Sequence, residues 1–285
     1  MKNMEEKSKI PKLLREIPDP PKQLYKIGKI PDQEKNIFLT VIGSRKYTPY
    51  GKNVCEKLIS GLAGYPFVIV SGLALGIDSI AHRSAIQNKL PSIAIPGSGL
   101  DSSVLYPASN RRLAQEIVQT GGALISEFDK MQKAAPWTFP KRNRIMAGIS
   151  HATLVIEAEN TSGTRITARL ATEYNREVFA VPGSIFSTAS EGTNELIREG
   201  ATPITSAKDI LDYFHLLDKE GTTTQQQMLA LSEEEEKIME LLNTPISRNA
   251  LAEKLALPIM KLNILLSSME IKGLIKENLG KIHKK

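Results

Sequence analysis

From Ile37 onward the chain alternates short apolar runs with amphipathic stretches. Six runs, 37–42 "IFLTVI", 67–70 "FVIV", 92–96 "SIAIP", 123–126 "ALIS", 153–157 "TLVIE" and 177–181 "EVFAV", are rich in β-branched residues and apolar on both faces. Strands buried on both sides read this way, and such strands belong to parallel sheets. Between the runs, apolar positions recur at helical spacing near 51–63, 78–88, 109–120, 141–149 and 164–175, and again at 192–199 and 206–217. Strand and helix in alternation predict a doubly wound α/β sheet over 37–217.

The two ends break this rhythm. Residues 1–36 hold Pro11, Pro18, Pro20, Pro21 and Pro31 between short apolar pairs, which predicts an irregular lead-in lying against the sheet domain. Residues 218–232, "DKEGTTTQQQMLALS", are polar and weakly patterned and read as a linker. Ser232 with Glu235 forms a capping box, Ser247 precedes "RNALAEKLA", and Pro258 opens "IMKLNILLSSMEIK", which Gly273 stops. The tail "LIKENLGKIHKK" alternates around a Leu279-Gly280 turn. Three helices and a hairpin within residues 233–285 predict a small winged helix-turn-helix domain.

Composition narrows the chemistry. One cysteine, Cys55, excludes an internal disulfide and a cysteine-based zinc site, and four scattered histidines show no metal-ligand spacing. The longest apolar runs are short and broken by glycine, and the first thirty residues lack the apolar core of a secretory signal; the expectation is a cytoplasmic protein without a membrane span. The net charge of +6 divides as +3 in residues 1–35, +3 in 36–214 and zero in 215–285. That balance permits a polyanion partner without demanding one.

Three loops after strands bring small residues together: Gly43-Ser44-Arg45, Ser71-Gly72 within "SGLALGID", and Ser162-Gly163 within "EAENTSGTRITA". In a parallel sheet these loops share one crevice, where backbone N–H groups can approach an anion. Each alone also fits a plain turn. Nucleotide motifs fail on spacing: seven residues separate Gly43 from Gly51 where a Walker A loop needs four, and "SGLALG" lacks G-x-G-x-x-G. No nucleotide cofactor is expected. The stretch "WTFPKRNRIMAG" then gathers Phe139, Lys141, Arg142, Asn143 and Arg144. Cations this dense resist burial, and an aromatic beside them suits single-stranded nucleic acid, the ring stacking a base and the cations holding the backbone. Asn143 and Arg144 also suit work within the protein, tying the helix to neighbouring strand ends. Asp78 and His82, at i and i+4, read better as a helix cap and a polar-pocket filler than as an acid–base pair. No G-x-S-x-G elbow, Cys/His pairing or acidic metal cluster is present, so the sequence predicts a binding protein without catalytic or metal-ligating residues.

At these residues the chain resembles the bacterial DNA-processing protein A family (DprA, also called Smf). The resemblance is carried in order by "VIGSRKYTPYG", "SGLALGIDSIAHRSAI", "PGSGLDSSVLYPASNRRL", "GGALISEF", "FPKRNRIMAGIS", "VIEAENTSGTRITARLATEYNREVFAVPGS" and "SEGTNELIREGA". It implies an extended Rossmann-like domain that binds single-stranded DNA without catalysis, and a homodimer that brings the recombinase RecA onto that DNA in natural transformation. It further implies that Gly43, Ser44 and Arg45, with Lys141, Arg142, Asn143 and Arg144, hold phosphates, and that Phe139 contacts bases. The family's N-terminal SAM-like domain has no counterpart in the lead-in, and no DNA contact is expected from the loop "GSGLDSSVLYP". The third C-terminal helix offers mainly Lys261 and Lys272 against Glu270, which favours a protein-contact role over duplex binding. An enzyme alternative is a nucleotide or phosphoribose hydrolase similar to the LOG proteins, but Thr167 stands where their catalytic glutamate would be sought. A regulator reading duplex DNA through the winged helix is a further alternative.

Overall fold

The structure, a computed structural model, describes residues 6–160, 162–217, 233–242, 246–255, 257–271, 274–278 and 281–284. The 218–232 linker, the Ser232 cap, Gly273, the Leu279-Gly280 turn, Lys272 and Lys285 lie outside the described residues. The chain divides into two units, Met1–Leu216 and Leu217–Lys285.

The first unit opens with β1 (Glu6–Lys7), α1 (Lys12–Arg15) and β2 (Tyr25–Gly28). The alternating region follows: β3 (Ile37–Ile42), α2 (Pro49–Ser60), β4 (Phe67–Ser71), α3 (Ile77–Gln87), β5 (Ser92–Ala94), α4 (Arg111–Gln119), β6 (Ala123–Ser126), α5 (Thr138–Ile149), β7 (Ala152–Val155), α6 (Gly163–Glu173), β8 (Glu177–Ala180), α7 (Thr188–Arg198), β9 (Thr202–Pro203) and α8 (Ala207–Tyr213). One sheet carries the order β1-β2-β6-β5-β4-β3-β7-β8-β9. Pairing is parallel from β6 through to β9 and antiparallel for β1 with β2 and β2 with β6. The fold is therefore Rossmann-like and doubly wound, with a mostly parallel sheet. Sequence order reverses beside β3: the chain builds outward through β4, β5 and β6, then returns as β7 on the other side. Loops leaving the carboxyl ends of β3 and β7 diverge there and open a crevice.

The two-residue period of a strand sorts the core into two layers. Phe38, Ile42, Val68, Val70, Ile93 and Val155 pack with Ile145 and Met146 of α5 and Ala168 of α6. Ala94 and Leu124 face the opposite way, onto Leu113, Ala114 and Ile117 of α4. Thr40, in the middle of β3, is fully buried but satisfied: its hydroxyl bonds the Met146 carbonyl at 2.9 Å and Ser150 Oγ at 2.7 Å.

The lead-in corrects the expectation of irregular chain. Tyr25–Gly28 runs antiparallel to Ala123–Ser126 and extends the sheet beyond β6, while Leu14, Ile17 and Leu24 are buried in the main core. A four-residue strand edged by lysines carries too few alternations to register as a period. The proline-bearing stretch between α1 and β2 also reaches the helices: the Asp19 carbonyl accepts from Arg144.

The second unit contains α9 (Glu233–Leu241), β10 (Ile246–Ser247), α10 (Arg248–Leu255), α11 (Ile259–Ile271), β11 (Ile275–Asn278) and β12 (Lys281–Lys284). Its three strands form an antiparallel sheet in the order β10-β12-β11. Ile238, Leu251, Leu262, Leu266, Met269 and Ile282 make its core.

Candidate functional site

The carboxyl end of β3 leads into Gly43-Ser44-Arg45, which rests on the start of α3. Gly76 makes this seat possible. It adopts φ +82°, and a Cβ there would stand 2.3 Å from the Ser44 carbonyl oxygen. Ile77 N–H donates to that same oxygen at 3.1 Å. The second glycine loop is thus scaffold for the first. Ser44 Oγ accepts from Lys46 N–H at 3.0 Å and tightens the turn. Arg45 and Lys46 are left exposed at the rim of a cleft of about 600 Å³.

Helix α5 forms a second wall. Phe139, Arg142, Asn143 and Met146 recur at helical spacing and face the cleft. The Phe139 ring packs where a Cβ on Gly97 would stand, 2.7 Å from its nearest carbon. The Arg45 guanidinium lies 5.4 Å from the ring centroid, and Tyr106 meets the ring edge-to-face at 5.8 Å. The third wall is the start of α6. Ser162 caps it, accepting from Thr164 N–H at 3.1 Å, and Gly163 is exposed with nothing near the position of a Cβ. Thr164 Oγ1 donates to the Gly43 carbonyl at 3.3 Å, joining this loop to the first. The helix dipole makes this end attractive to an anion, with the Thr164 and Arg165 N–H groups held by Ser162. Two carboxylates, Asp78 and Glu159, also line the cleft.

Of the residues singled out from sequence, the structure brings Gly43, Ser44, Arg45, Phe139, Arg142, Asn143, Ser162 and Gly163 to this one cleft. It places Ser71, Lys141 and Arg144 elsewhere, and Gly72 in an adjoining pocket that shares Arg45, Phe139 and Arg142 with the cleft. Ser71 is fully buried, and its hydroxyl donates to the Val41 carbonyl at 2.7 Å, stitching β4 to β3. Gly72 directs its N–H to Asp78 Oδ2 at 3.1 Å, so that donor is already engaged. Lys141 projects onto the neighbouring Trp137, its Nζ 5.2 Å from the ring centroid. Arg144 lies on a different face of α5, bonded to the Asp19 carbonyl at 2.7 Å and to the Glu127 carboxylate.

Arg142 corrects the argument that such cations stay out of the interior. It is 5% exposed, and its Nη1 donates to the carbonyls of Gly72 and Ile95, the latter at 2.6 Å. Backbone carbonyls at two strand ends satisfy the guanidinium and let it be buried. Burial pushes its pKa down to about 10, against the opposing charge of Asp78. Burial in turn raises the Asp78 carboxyl, which accepts from the Gly72 and Ala74 N–H groups. His82 is not its acid–base partner: the ring is fully buried against Ser92 Oγ at 2.8 Å, and burial lowers its pKa to about 3.

Glu157 shapes the site without any motif in the sequence to mark it. It stands two residues beyond β7 and is 2% exposed, yet its carboxylate accepts from Thr48 N–H at 3.1 Å and from the Thr48 hydroxyl. A Cβ on Gly51 would lie 2.2 Å from the Glu157 carboxyl carbon. The second glycine of "VIGSRKYTPYG" therefore makes room for an internal carboxylate. The signal was its offset: Gly51 falls where a first helical turn needs no glycine of its own.

The assembled geometry can be set beside known proteins. The family model for DNA recombination-mediator protein A matches residues 3–215, all three loops and α5 included. The chain belongs to that family. The DNA processing protein DprA of Streptococcus pneumoniae is 43% identical over 201 residues, 70% of each chain. Protein Smf of Escherichia coli is also 43% identical, over 174 residues that make up 61% of this chain and 46% of the relative. Among solved structures, DprA from Streptococcus pneumoniae superposes with TM-score 0.66 at 41% identity, covering 71% of this chain and 70% of that one. DNA processing protein A from Helicobacter pylori superposes with TM-score 0.68 at 32% identity, covering 75% of this chain and 97% of that one. The Helicobacter structure concerns that protein's single-stranded DNA binding mode.

Proposed function

We propose that the cleft grips the backbone of single-stranded DNA and that the chain serves recombination as a non-catalytic mediator. The observation that carries this reading is Arg45: an exposed guanidinium held over the Phe139 ring, facing the open start of α6. A phosphate between Arg45 and the start of α6 would receive a planar fork and a helix dipole together. The ring beside it offers a face to a base. The relation to the Helicobacter pylori protein, described for its single-stranded DNA binding mode, supports the same ligand. Lys141 enters as an outer cation, Arg142 as the tie that holds the cleft's walls, and Arg144 as a brace between α5, Glu127 and the lead-in.

Protection of incoming DNA, loading of RecA during natural transformation and action as a homodimer complete the proposal on family grounds. A cytoplasmic site of action fits, since no helix among the described residues is long and apolar enough to cross a membrane. Fluorescence anisotropy with labelled oligo-dT tests the cleft: binding should weaken as salt rises and fall strongly in Arg45→Ala. RecA strand exchange on DNA coated with single-strand-binding protein, with and without this protein, tests the mediator role.

The hydrolase alternative gains nothing from the cleft. Thr167 is 1% exposed, and Asp78 is engaged by two loop N–H groups. Chromatography should find no base released from nucleoside monophosphates. For the second unit we infer a winged helix that contacts protein. Lys261 on α11 is bound to Glu234 at 2.5 Å, whereas Met260 and Ile264 stand exposed on the same helix. A duplex reader would present free cations there.

A further inference from the structure

Trp137, immediately before α5, is half exposed although it is the only tryptophan in the chain. Its ring is fixed from two sides. Phe128 meets it edge-to-face at 5.7 Å, and the Lys141 ammonium lies over it at 5.2 Å. Phe128 is itself 8% exposed, so the indole stands on a rigid support. Pro136, its chain neighbour, lines the cleft that contains Phe139 and Arg45. An exposed indole with a cation on its face, one residue beyond the edge of a cationic cleft, has the make-up of a single-strand stacking platform.

We propose that single-stranded DNA leaves the cleft over Pro136 and that Trp137 stacks the next base, with Lys141 moving to the adjoining phosphate. This rests on the reading that the cleft takes single-stranded DNA. The exchange is favourable because an exposed cation–π contact is weaker than a base stacked on indole. Lys141 loses the ring and gains an anion. The charge at the platform matches a polyanion, and the platform is continuous with the cleft wall.

The lone tryptophan makes the test direct. Unlabelled oligo-dT added to the full chain should quench the indole emission, while an abasic deoxyribose-phosphate tract of equal length, which can draw Lys141 away but stacks nothing, should quench it far less. Labelled oligo-dT followed by anisotropy should bind Trp137→Ala about tenfold more weakly than the wild type, with Trp137→Phe recovering most of the loss. Lys141→Ala should lower the salt slope by about one. The proposal is overturned if emission stays unmoved at saturation, or if folded Trp137→Ala binds as tightly as the wild type. When Arg45→Ala nevertheless abolishes binding, only the platform falls and the cleft stands. Absence of wild-type binding to oligo-dT overturns both. Should Trp137→Ala fail to fold, the emission titration on the unchanged chain decides alone.

Discussion

Two strand–loop–helix units flank the crevice, and they look alike in sequence. The first runs from β3 through Gly43 to α2, with Thr48 as cap and Gly51 in the first turn. The second runs from β7 to α6, with Ser162 as cap and Gly163 next to it. Their helix starts meet opposite fates. The start of α2 is covered by the buried carboxylate of Glu157, which bonds both the amide and the hydroxyl of Thr48. The start of α6 looks into open space. The carboxylate that fills the first cradle comes from the loop that builds the second. Glycine at a helix start therefore leaves room for an anion close by. It does not report whether that anion belongs to the protein or arrives from outside.

The largest expected effect comes from breaking the filled cradle. Gly51→Ala drives a methyl against a carboxylate that is held in place, and should cost about 3 kcal/mol in denaturant unfolding of the main unit. Glu157→Ala should cost about 2 kcal/mol, because Thr48 loses the acceptor for both its partly buried amide and its hydroxyl. Added phosphate should raise the unfolding midpoint of that variant more than that of the wild type, since the α2 start then becomes a free anion site. Arg45→Ala should leave stability within about 0.5 kcal/mol, because its side chain is exposed. It should weaken oligo-dT binding by roughly tenfold or more, read by anisotropy. An Arg45 variant that loses stability, or a Glu157 variant that loses DNA affinity without losing stability, would break the contrast.

That contrast also marks how far the sequence could be read. The strand β3 was legible residue for residue, and β4, β7 and β8 within about two residues at either end, because buried parallel strands are apolar on both faces and stand out against amphipathic helices. β2 was not legible, since Tyr25–Gly28 becomes a strand only by pairing with β6, about a hundred residues later. In the site, Arg45 and Phe139 were readable as a cation and a ring. Their stacking was not, because it depends on Gly76 seating the first loop and on Gly97 admitting the ring. Arg142 was misjudged for a similar reason. Its hydrogen-bond partners are main-chain carbonyls of Gly72 and Ile95, which carry no letter in the sequence, and the opposing charge of Asp78 reaches it only through the fold.

The smallest expected effect is the most discriminating, because it repeats the first substitution in the twin cradle. Gly163 has a negative-φ backbone and nothing within 4 Å of a Cβ, so alanine can be added there without strain. Gly163→Ala removes freedom from the unfolded chain and should stabilise the main unit by about 0.5 kcal/mol, read by the same denaturant titration. The two alanines would then differ in sign, although each adds one methyl in the first turn of a helix after a hydroxyl cap. A Gly163→Ala variant as damaged as Gly51→Ala would mean that the α6 start is also filled from within. The cleft would then have no open helix start to offer a phosphate, and Arg45 would have to hold one alone.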